Sequence, residues 1–140
     1  MSQTNSDGEI KSNSLSGSYS NNTDCRWYLS SNAKIELAFL RFSTEPSNDF
    51  VKVYDGGSSS SPLIGTFSGS SLPSPIQSSS RNLYVKFTSD GSQTFNGFLA
   101  HYRGKMMVFI YLVAYLFIYL FSYLVIWLFM LLCKDMPITK

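Results

Sequence analysis

Two carboxylates, Glu45 and Asp49, stand four residues apart in the stretch TEPSNDFVKVYDG, just before an alternating run of apolar and polar residues. A third carboxylate opens the turn Asp90-Gly91-Ser92. Carboxylate and carbonyl oxygens are the ligands that calcium prefers in proteins, and carboxylates held together without a basic neighbour repel one another. The residue types therefore predict a calcium site if the fold brings the two turns together. They predict solvated loop acids if it does not.

Short alternating segments are the elements available to position these turns. Clusters of Gly, Ser, Asn and Pro separate them, and such spacing is typical of strands in an antiparallel sandwich. The fold class is therefore predicted to be all-β, an antiparallel β-sandwich followed by one transmembrane α-helix. The segments predicted as strands are Cys25–Leu29, Ile35–Leu40, Phe50–Tyr54, Leu63–Phe67, Leu83–Thr88 and Gly97–Tyr102.

The 140 residues divide into parts of unlike composition. Residues 1–7 are predicted to be a disordered lead-in, and residues 8–103 to form the β-domain. Residues 106–133 carry no charge. Since a helix needs about 20 apolar residues to cross a bilayer core, this segment is predicted to be a single transmembrane helix. Residues 134–140 are a short tail. The N-terminus lacks the charged and apolar regions of a secretory signal, which favours either a tail anchor or a sequence without its beginning.

An aromatic residue recurs every four positions in the apolar segment, at Tyr111, Tyr115, Tyr119, Tyr123 and Trp127. On a helix this spacing makes a stripe that drifts slowly around the axis. One interpretation is self-association of the span through the tyrosines. The alternative is a low-complexity tract without that role.

Several function classes are disfavoured by composition. The net charge of +2 offers no basic field for nucleic acid. The one histidine, His101, lies in a predicted strand, and no metalloprotease motif, catalytic triad or phosphate loop is present, so we expect no enzyme. Cys25 and Cys133 do not make a disulfide framework. Asn21 heads a glycosylation sequon that is used only if it enters the secretory lumen.

Seven motifs follow one another between residues 8 and 102: GEI, NTDCRW, IELAF, DFVKVYDG, LIGTFSG, LYVKFTSDGS and GFLAHY. In this order they resemble the CUB domain family. The resemblance implies a jelly-roll-like β-sandwich and a non-catalytic module that binds proteins outside cells.

The resemblance also implies a ligand set. The calcium-binding subset of the family uses a tyrosine, a glutamate and two aspartates, and the matching positions are Tyr19, Glu45, Asp49 and Asp90. With Ser92 they form the predicted Ca2+ site, in which the Tyr19 hydroxyl orients a carboxylate. Asp49 or Glu45 would then accept a Lys or Arg side chain from an extracellular protein ligand.

The cysteine pattern departs from that of the family, which usually has two disulfide bridges. Cys25 matches the second cysteine, and the first would lie upstream of Gly8, so Cys25 is a disulfide candidate whose partner is missing. The third would fall in the shortened loop between Glu45 and Asp49, and Ser68 replaces the fourth. Loss of this bridge predicts a domain less stable than its relatives.

Together these observations predict a single-pass membrane protein whose CUB domain is extracellular and binds a partner's basic side chain through a calcium-supported loop face. Two alternatives stay open. One is a calcium-independent adhesive or carbohydrate-binding CUB domain. The other is a fragment of a larger CUB-containing extracellular protease or receptor.

Overall fold

The computed structural model describes residues 2–3, 7–12, 17–105 and 108–133. The chain divides into two compact units, Met1–Lys105 and Met106–Lys140. Strands make up the first unit, and the second contains one helix, α1 (Val108–Cys133). The described strands are β1 (Ser2–Gln3), β2 (Asp7–Lys11), β3 (Asp24–Ser30), β4 (Lys34–Ser43), β5 (Phe50–Tyr54), β6 (Leu63–Phe67), β7 (Ile76–Gln77), β8 (Asn82–Thr88) and β9 (Gly97–Lys105).

The strands form two sheets, ordered β1-β3-β8-β5-β6 and β2-β9-β4-β7. All six predicted strands and the all-β sandwich are confirmed. The pairings are antiparallel except that of β1 with β3, which is parallel. Of the predicted disordered lead-in, residues 1–7, the structure describes only positions 2, 3 and 7. Ser2 and Gln3 pair with β3, and Asp7 pairs with Arg103 of β9; positions 1 and 4–6 lie outside the described residues.

A β-bulge in β4 sets which side chains reach the loop at its end. The pairing with β9 slips between Phe39 and Arg41, so that the intervening Leu40 is left out of the register and is 54% exposed. Because of the extra residue, Phe39 and Phe42 both point into the core although they are three positions apart. After the bulge, Thr44 is buried as well.

Phe98 on β9 lies at the centre of the aromatic core. Its ring contacts rings from both sheets at centroid distances of 5.5–6.4 Å: Phe39 and Phe42 from β4, Trp27 from β3 and Phe87 from β8. Three of these pairs are edge-on and the Phe42–Phe98 pair is stacked, and both arrangements stabilise a core beyond the buried area of the rings. Phe87 in turn contacts Tyr19, with ring centroids 5.0 Å apart, which joins this aromatic cluster to the loops considered below.

The second unit is helical where it is described, as predicted from its composition. The prediction that this helix spans a membrane is not supported. Within the described parts of the chain, the structure has no helix with both the length and the hydropathy that crossing a bilayer requires. The predicted tail, residues 134–140, lies outside the described residues.

The aromatic repeat forms a stripe along α1. The ring of Tyr119 contacts those of Tyr115 and Tyr123, at centroid distances of 6.1 and 5.2 Å. All three side chains are exposed. The side chain of Tyr111 lies outside the described part of the structure, and self-association through the stripe stays a prediction.

Candidate metal centre

Three loops meet at one end of the sandwich. They are residues 17–23, which lead into β3, residues 44–49, which join β4 to β5, and residues 89–92, which follow β8. Backbone hydrogen bonds tie the first loop to the third, since the amide of Asn22 donates to the carbonyl of Asp90 (2.6 Å) and that of Ser89 to the carbonyl of Thr23 (3.0 Å). Acids that are far apart in the sequence therefore converge here.

Asp49 is the best-buried member of the cluster, with none of its surface exposed. One carboxylate oxygen accepts a short hydrogen bond from the hydroxyl of Tyr19, and the other accepts one from the amide of Asp90 (2.9 Å). The Tyr19 oxygen also accepts a hydrogen bond from the amide of Glu45 (3.0 Å). Burial, reinforced by the hydrogen bond to Asp49, raises the pKa of Tyr19 to about 12, so this phenol remains a donor at neutral pH.

Glu45 and Asp90 meet at the hydroxyl of Ser92. The Ser92 Oγ lies 2.8 Å from Glu45 Oε2 and 2.7 Å from Asp90 Oδ1, yet a hydroxyl has only one proton to donate. The Ser92 amide also donates to Asp90 Oδ1 (2.8 Å). These two bonds from Ser92 lower the pKa of Asp90. Glu45 Oε1 accepts a further bond from the Asn48 amide group (2.8 Å).

The shortened loop is a closed turn. The amide of Asp49 donates to the carbonyl of Glu45 (3.2 Å), and Ser47 adopts a positive φ of 64°. Glu45 is thereby held at the cluster with only 5% of its surface exposed. The turn therefore keeps the Glu45 carboxylate beside those of Asp49 and Asp90.

Ser68 fastens this turn to the end of β6. Its hydroxyl donates to the carbonyl of Glu45 (2.9 Å) and accepts from the amide of Ser47 (2.8 Å). Next to it, Thr44 and Gly69 exchange two hydrogen bonds, at 2.8 and 3.0 Å. Hydrogen bonds thus hold together the two segments that the family resemblance would join by a disulfide.

The cluster gathers negative charge without a protein cation. One carboxylate oxygen from each of Glu45, Asp49 and Asp90 lies within 4.8 Å of the other two. Among the described residues, no Lys, Arg or His forms an ion pair with any of the three. Since burial without a counter-charge disfavours ionised carboxylates, the arrangement favours a cation between them.

The structure brings all five predicted site residues together, but it changes the role of two. Glu45 and Asp49 are buried, so a partner's side chain cannot reach them directly; Asp90 is the exposed acid of the cluster. Sequence reasoning also missed Asn48 and Thr44. The position of Asn48 in the tight turn between the two acids was the signal for its contact with Glu45, whereas nothing in the sequence indicated that Thr44 is buried.

Three other predicted positions lie apart from the carboxylates. Asn21 is exposed, and its amide nitrogen, the atom that would carry a glycan, donates to the carbonyl of Gly91 (3.0 Å). Cys25 is a free thiol, and burial raises its pKa. His101 pairs with Asp7 at the surface.

The fold and the loop geometry can be compared with known proteins. A protein-family model described as "CUB domain" matches residues 1–102. This chain belongs to the CUB domain family. The CUB domain is a non-catalytic module, found in proteins of differing architecture.

Curated CUB relatives are much longer than this chain. Cubilin of Sus scrofa is 40% identical over 106 residues, which cover 71% of this chain and 3% of that protein. An astacin-like metalloendopeptidase of Coturnix japonica is 38% identical over 106 residues, 71% of this chain and 26% of that protein. The chain therefore spans a small part of the curated relatives it matches.

Solved CUB structures share the fold. The CUB1-EGF-CUB2 domains of rat MASP-1 match with a TM-score of 0.67 and 24% identity, over 76% of this chain and 43% of that one. A structure described as the MASP-1 CUB2 domain bound to Ca2+ matches with a TM-score of 0.65 and 24% identity, over 74% of this chain and 96% of that one. At this identity the likeness shows the fold alone.

Proposed function

We propose that this chain is an extracellular, non-catalytic protein-interaction module that binds Ca2+ through Glu45, Asp49 and Asp90. The observation that carries the proposal is the pair of buried carboxylates, Asp49 and Glu45, which converge with Asp90 and have no basic partner among the described residues. A loop acid that is merely solvated is exposed, and these two are not.

The donor set fits calcium. Calcium takes six to eight oxygen ligands, with carboxylates and backbone carbonyls common among them, and all the converging side chains offer oxygen. The Ser92 hydroxyl contacts two carboxylates but has only one proton. Its oxygen is a further ligand for such an ion. A likeness to a CUB domain whose structure contains Ca2+ supports the same choice of ion.

The residues of the chain have distinct roles in this proposal. Tyr19 holds the buried carboxylate of Asp49 in place, and the turn closed by Ser68 holds Glu45. A bound calcium ion would supply the positive charge that offsets the repulsion among the acids. Asp90 is left at the surface, where its carboxylate can accept a hydrogen bond from a Lys or Arg of a partner protein.

Calcium is expected to raise the melting temperature of the full chain, and Asp90→Ala to abolish most of that increase. With a Kd of about 0.1–1 mM, about 10 mM Ca2+ stabilises the folded state by about 1.4–2.7 kcal/mol, or about 5–20 °C in a domain of this size. Thermal melts with and without Ca2+ measure the shift, and calorimetry measures the binding directly.

Asp55→Ala is the matched control for that experiment. Asp55 is a loop acid outside the cluster, and like Asp90 it accepts a hydrogen bond from a backbone amide, that of Ser79 (2.9 Å). The control should keep the full calcium shift. The metal site would be contradicted if calcium raised the melting temperature of the wild type, Asp90→Ala and Asp55→Ala equally. It would also be contradicted if the wild type showed neither heat of calcium binding nor a rise in melting temperature. Either result would favour a calcium-independent adhesive module.

A second proposal concerns α1, which we infer associates with a lipid bilayer. Every large apolar side chain described between Tyr115 and Leu128 is at least 51% exposed, and monomeric soluble proteins rarely expose a continuous apolar surface of this extent. The uncharged run 106–133 supports contact of this segment with the apolar part of a bilayer. Placement of the CUB domain outside the cell is supported by its relatives, which are extracellular CUB proteins.

Fractionation tests this association. The full chain is expected in the membrane fraction, and extraction at alkaline pH should not release it if α1 inserts. Replacing Leu120 and Leu124 by lysine should move the chain to the soluble fraction, since each lysine costs about 2.5–3.5 kcal/mol at the centre of a membrane helix. The matched control replaces Leu40 and Leu72, both exposed on the β-domain, by lysine. This variant should remain in the membrane fraction. A wild-type chain found in the soluble fraction would contradict the proposal.

A further inference from the structure

Two adjacent rows of side chains cross the outer face of the five-stranded sheet. Strands β3, β8 and β5 are neighbours, and the residues directly opposite one another across them share chemistry. The cation row consists of Arg26, Lys86 and Lys52. The tyrosine row lies two residues away from it on each strand, after the cation on β3 and β5 and before it on the antiparallel β8, and consists of Tyr28, Tyr84 and Tyr54.

The tyrosine row is held rigidly. The rings of Tyr54 and Tyr84 contact each other at a centroid distance of 6.0 Å. The Tyr28 hydroxyl donates to Asn82 Oδ1 (3.0 Å). The ring of Tyr28 also lies against the turn after β5, where a Cβ atom on Gly57 would come within 3.1 Å of it. Half-buried rings fixed in this way lose little conformational entropy when a ligand packs on them.

The cation row carries excess positive charge. Arg26 and Lys86 share one carboxylate, that of Asp24, at 2.8 and 3.3 Å. Lys52 forms no ion pair with any described residue. The side chains of Arg26 and Lys86 are 59% and 27% exposed. Since neighbouring strands lie about 4.8 Å apart, three cations and one acid occupy a strip about 10 Å wide.

We propose that this face binds a sulfated polysaccharide. The apolar faces of sugar rings can pack on the tyrosine row, while sulfate groups reach the cation row beside it and form charge-assisted hydrogen bonds. An acidic peptide would use the cations but has no need of flat rings alongside them. The site is separate from the carboxylate cluster at the end of the sandwich, so binding requires no calcium.

The test measures binding of a heparin-derived hexasaccharide to the full chain by calorimetry in EDTA. Replacing Lys52 and Lys86 together by alanine is expected to weaken binding about 5- to 30-fold at physiological salt, because each exposed ion pair contributes modestly. Replacing Tyr54 and Tyr84 by leucine should weaken it about 3- to 10-fold, since the ring contacts are lost while the charges remain.

Matched controls separate this surface from charge alone. Replacing Lys11 and Lys34, both exposed on the four-stranded sheet, removes the same net charge and should change affinity less than about twofold. Desulfated hexasaccharide should not bind, and polyglutamate should bind more weakly than the sulfated sugar. The proposal would be overturned if both lysine pairs lost the same affinity, or if the tyrosine changes left the affinity unchanged. Polyglutamate binding as tightly as the sulfated sugar, or binding that requires calcium, would also overturn it.

Discussion

Replacing Tyr19 by phenylalanine is expected to lower the free energy of unfolding by about 2–4 kcal/mol, because it leaves buried polar groups without partners. The hydroxyl donates to Asp49, whose surface is fully buried, and accepts from the amide of Glu45. Phenylalanine fills the same space but provides neither bond. In a domain of this size the melting temperature should fall by about 10–25 °C, which differential scanning calorimetry measures.

Tyr28→Phe is the control for this change. Its hydroxyl is also hydrogen-bonded, to Asn82, but at a site that water can reach. We therefore expect a loss of less than about 1 kcal/mol there. Equal losses in the two variants would show that the bond to Asp49 has no special importance.

The pH dependence gives an independent check on Tyr19. Its pKa is raised from 10.0 to about 12 in the folded chain, so the folded state keeps a proton that the unfolded state gives up near pH 10. This contribution to stability is complete below pH 10 and is lost as the pH rises to about 12. As the pH rises from 10 to 12, the free energy of unfolding of the wild type should therefore fall more than that of Tyr19→Phe. Urea unfolding at several pH values in this range measures the difference.

Replacing Phe98 by alanine should lower the free energy of unfolding by about 3–5 kcal/mol, since it leaves a cavity in the core. The ring contacts four others that come from both sheets, so neither sheet can move inward to fill the space without disturbing the other. Urea unfolding followed by tryptophan fluorescence measures the loss, because Trp27 is one of those neighbours.

Phe50→Ala provides the comparison for that substitution. Phe50 is half-buried on β5 and lies outside the core cluster. Its loss removes less apolar contact and is expected to cost about 1 kcal/mol. A cost at Phe98 no greater than that at Phe50 would contradict the central position of Phe98 in the core.

The sequence predicted two of the shorter strands well because turn residues bound each run closely. β5 and β6 begin and end at the predicted residues, Phe50–Tyr54 and Leu63–Phe67. β1 and β7 have two residues each, too few for a periodic pattern, and they form only through pairing with neighbours already in place. The bulge at Leu40 could not be predicted either, since an apolar residue there continues the run of hydrophobic residues without a visible break.

The carboxylate cluster could be predicted in part. The residue types of Glu45, Asp49 and Asp90 indicated calcium, and the family resemblance supplied Tyr19 and placed Asp90 in the same ligand set. Burial could not be predicted, because Asp49 becomes inaccessible only when the loops containing Tyr19 and Asp90 close over it. That closure moves the surface available to a partner from Asp49 and Glu45 to Asp90.

The hydroxyl of Ser68 makes the closure of the turn between Glu45 and Asp49 independent of redox conditions. A disulfide at this place would open or close according to the reduction potential of its surroundings. The bonds from Ser68 to Glu45 and Ser47 contain no sulfur, so thiol reductants leave them unchanged. These bonds break and re-form through local fluctuations of the turn. The carboxylates beneath that turn are therefore arranged in the same way under oxidising and reducing conditions.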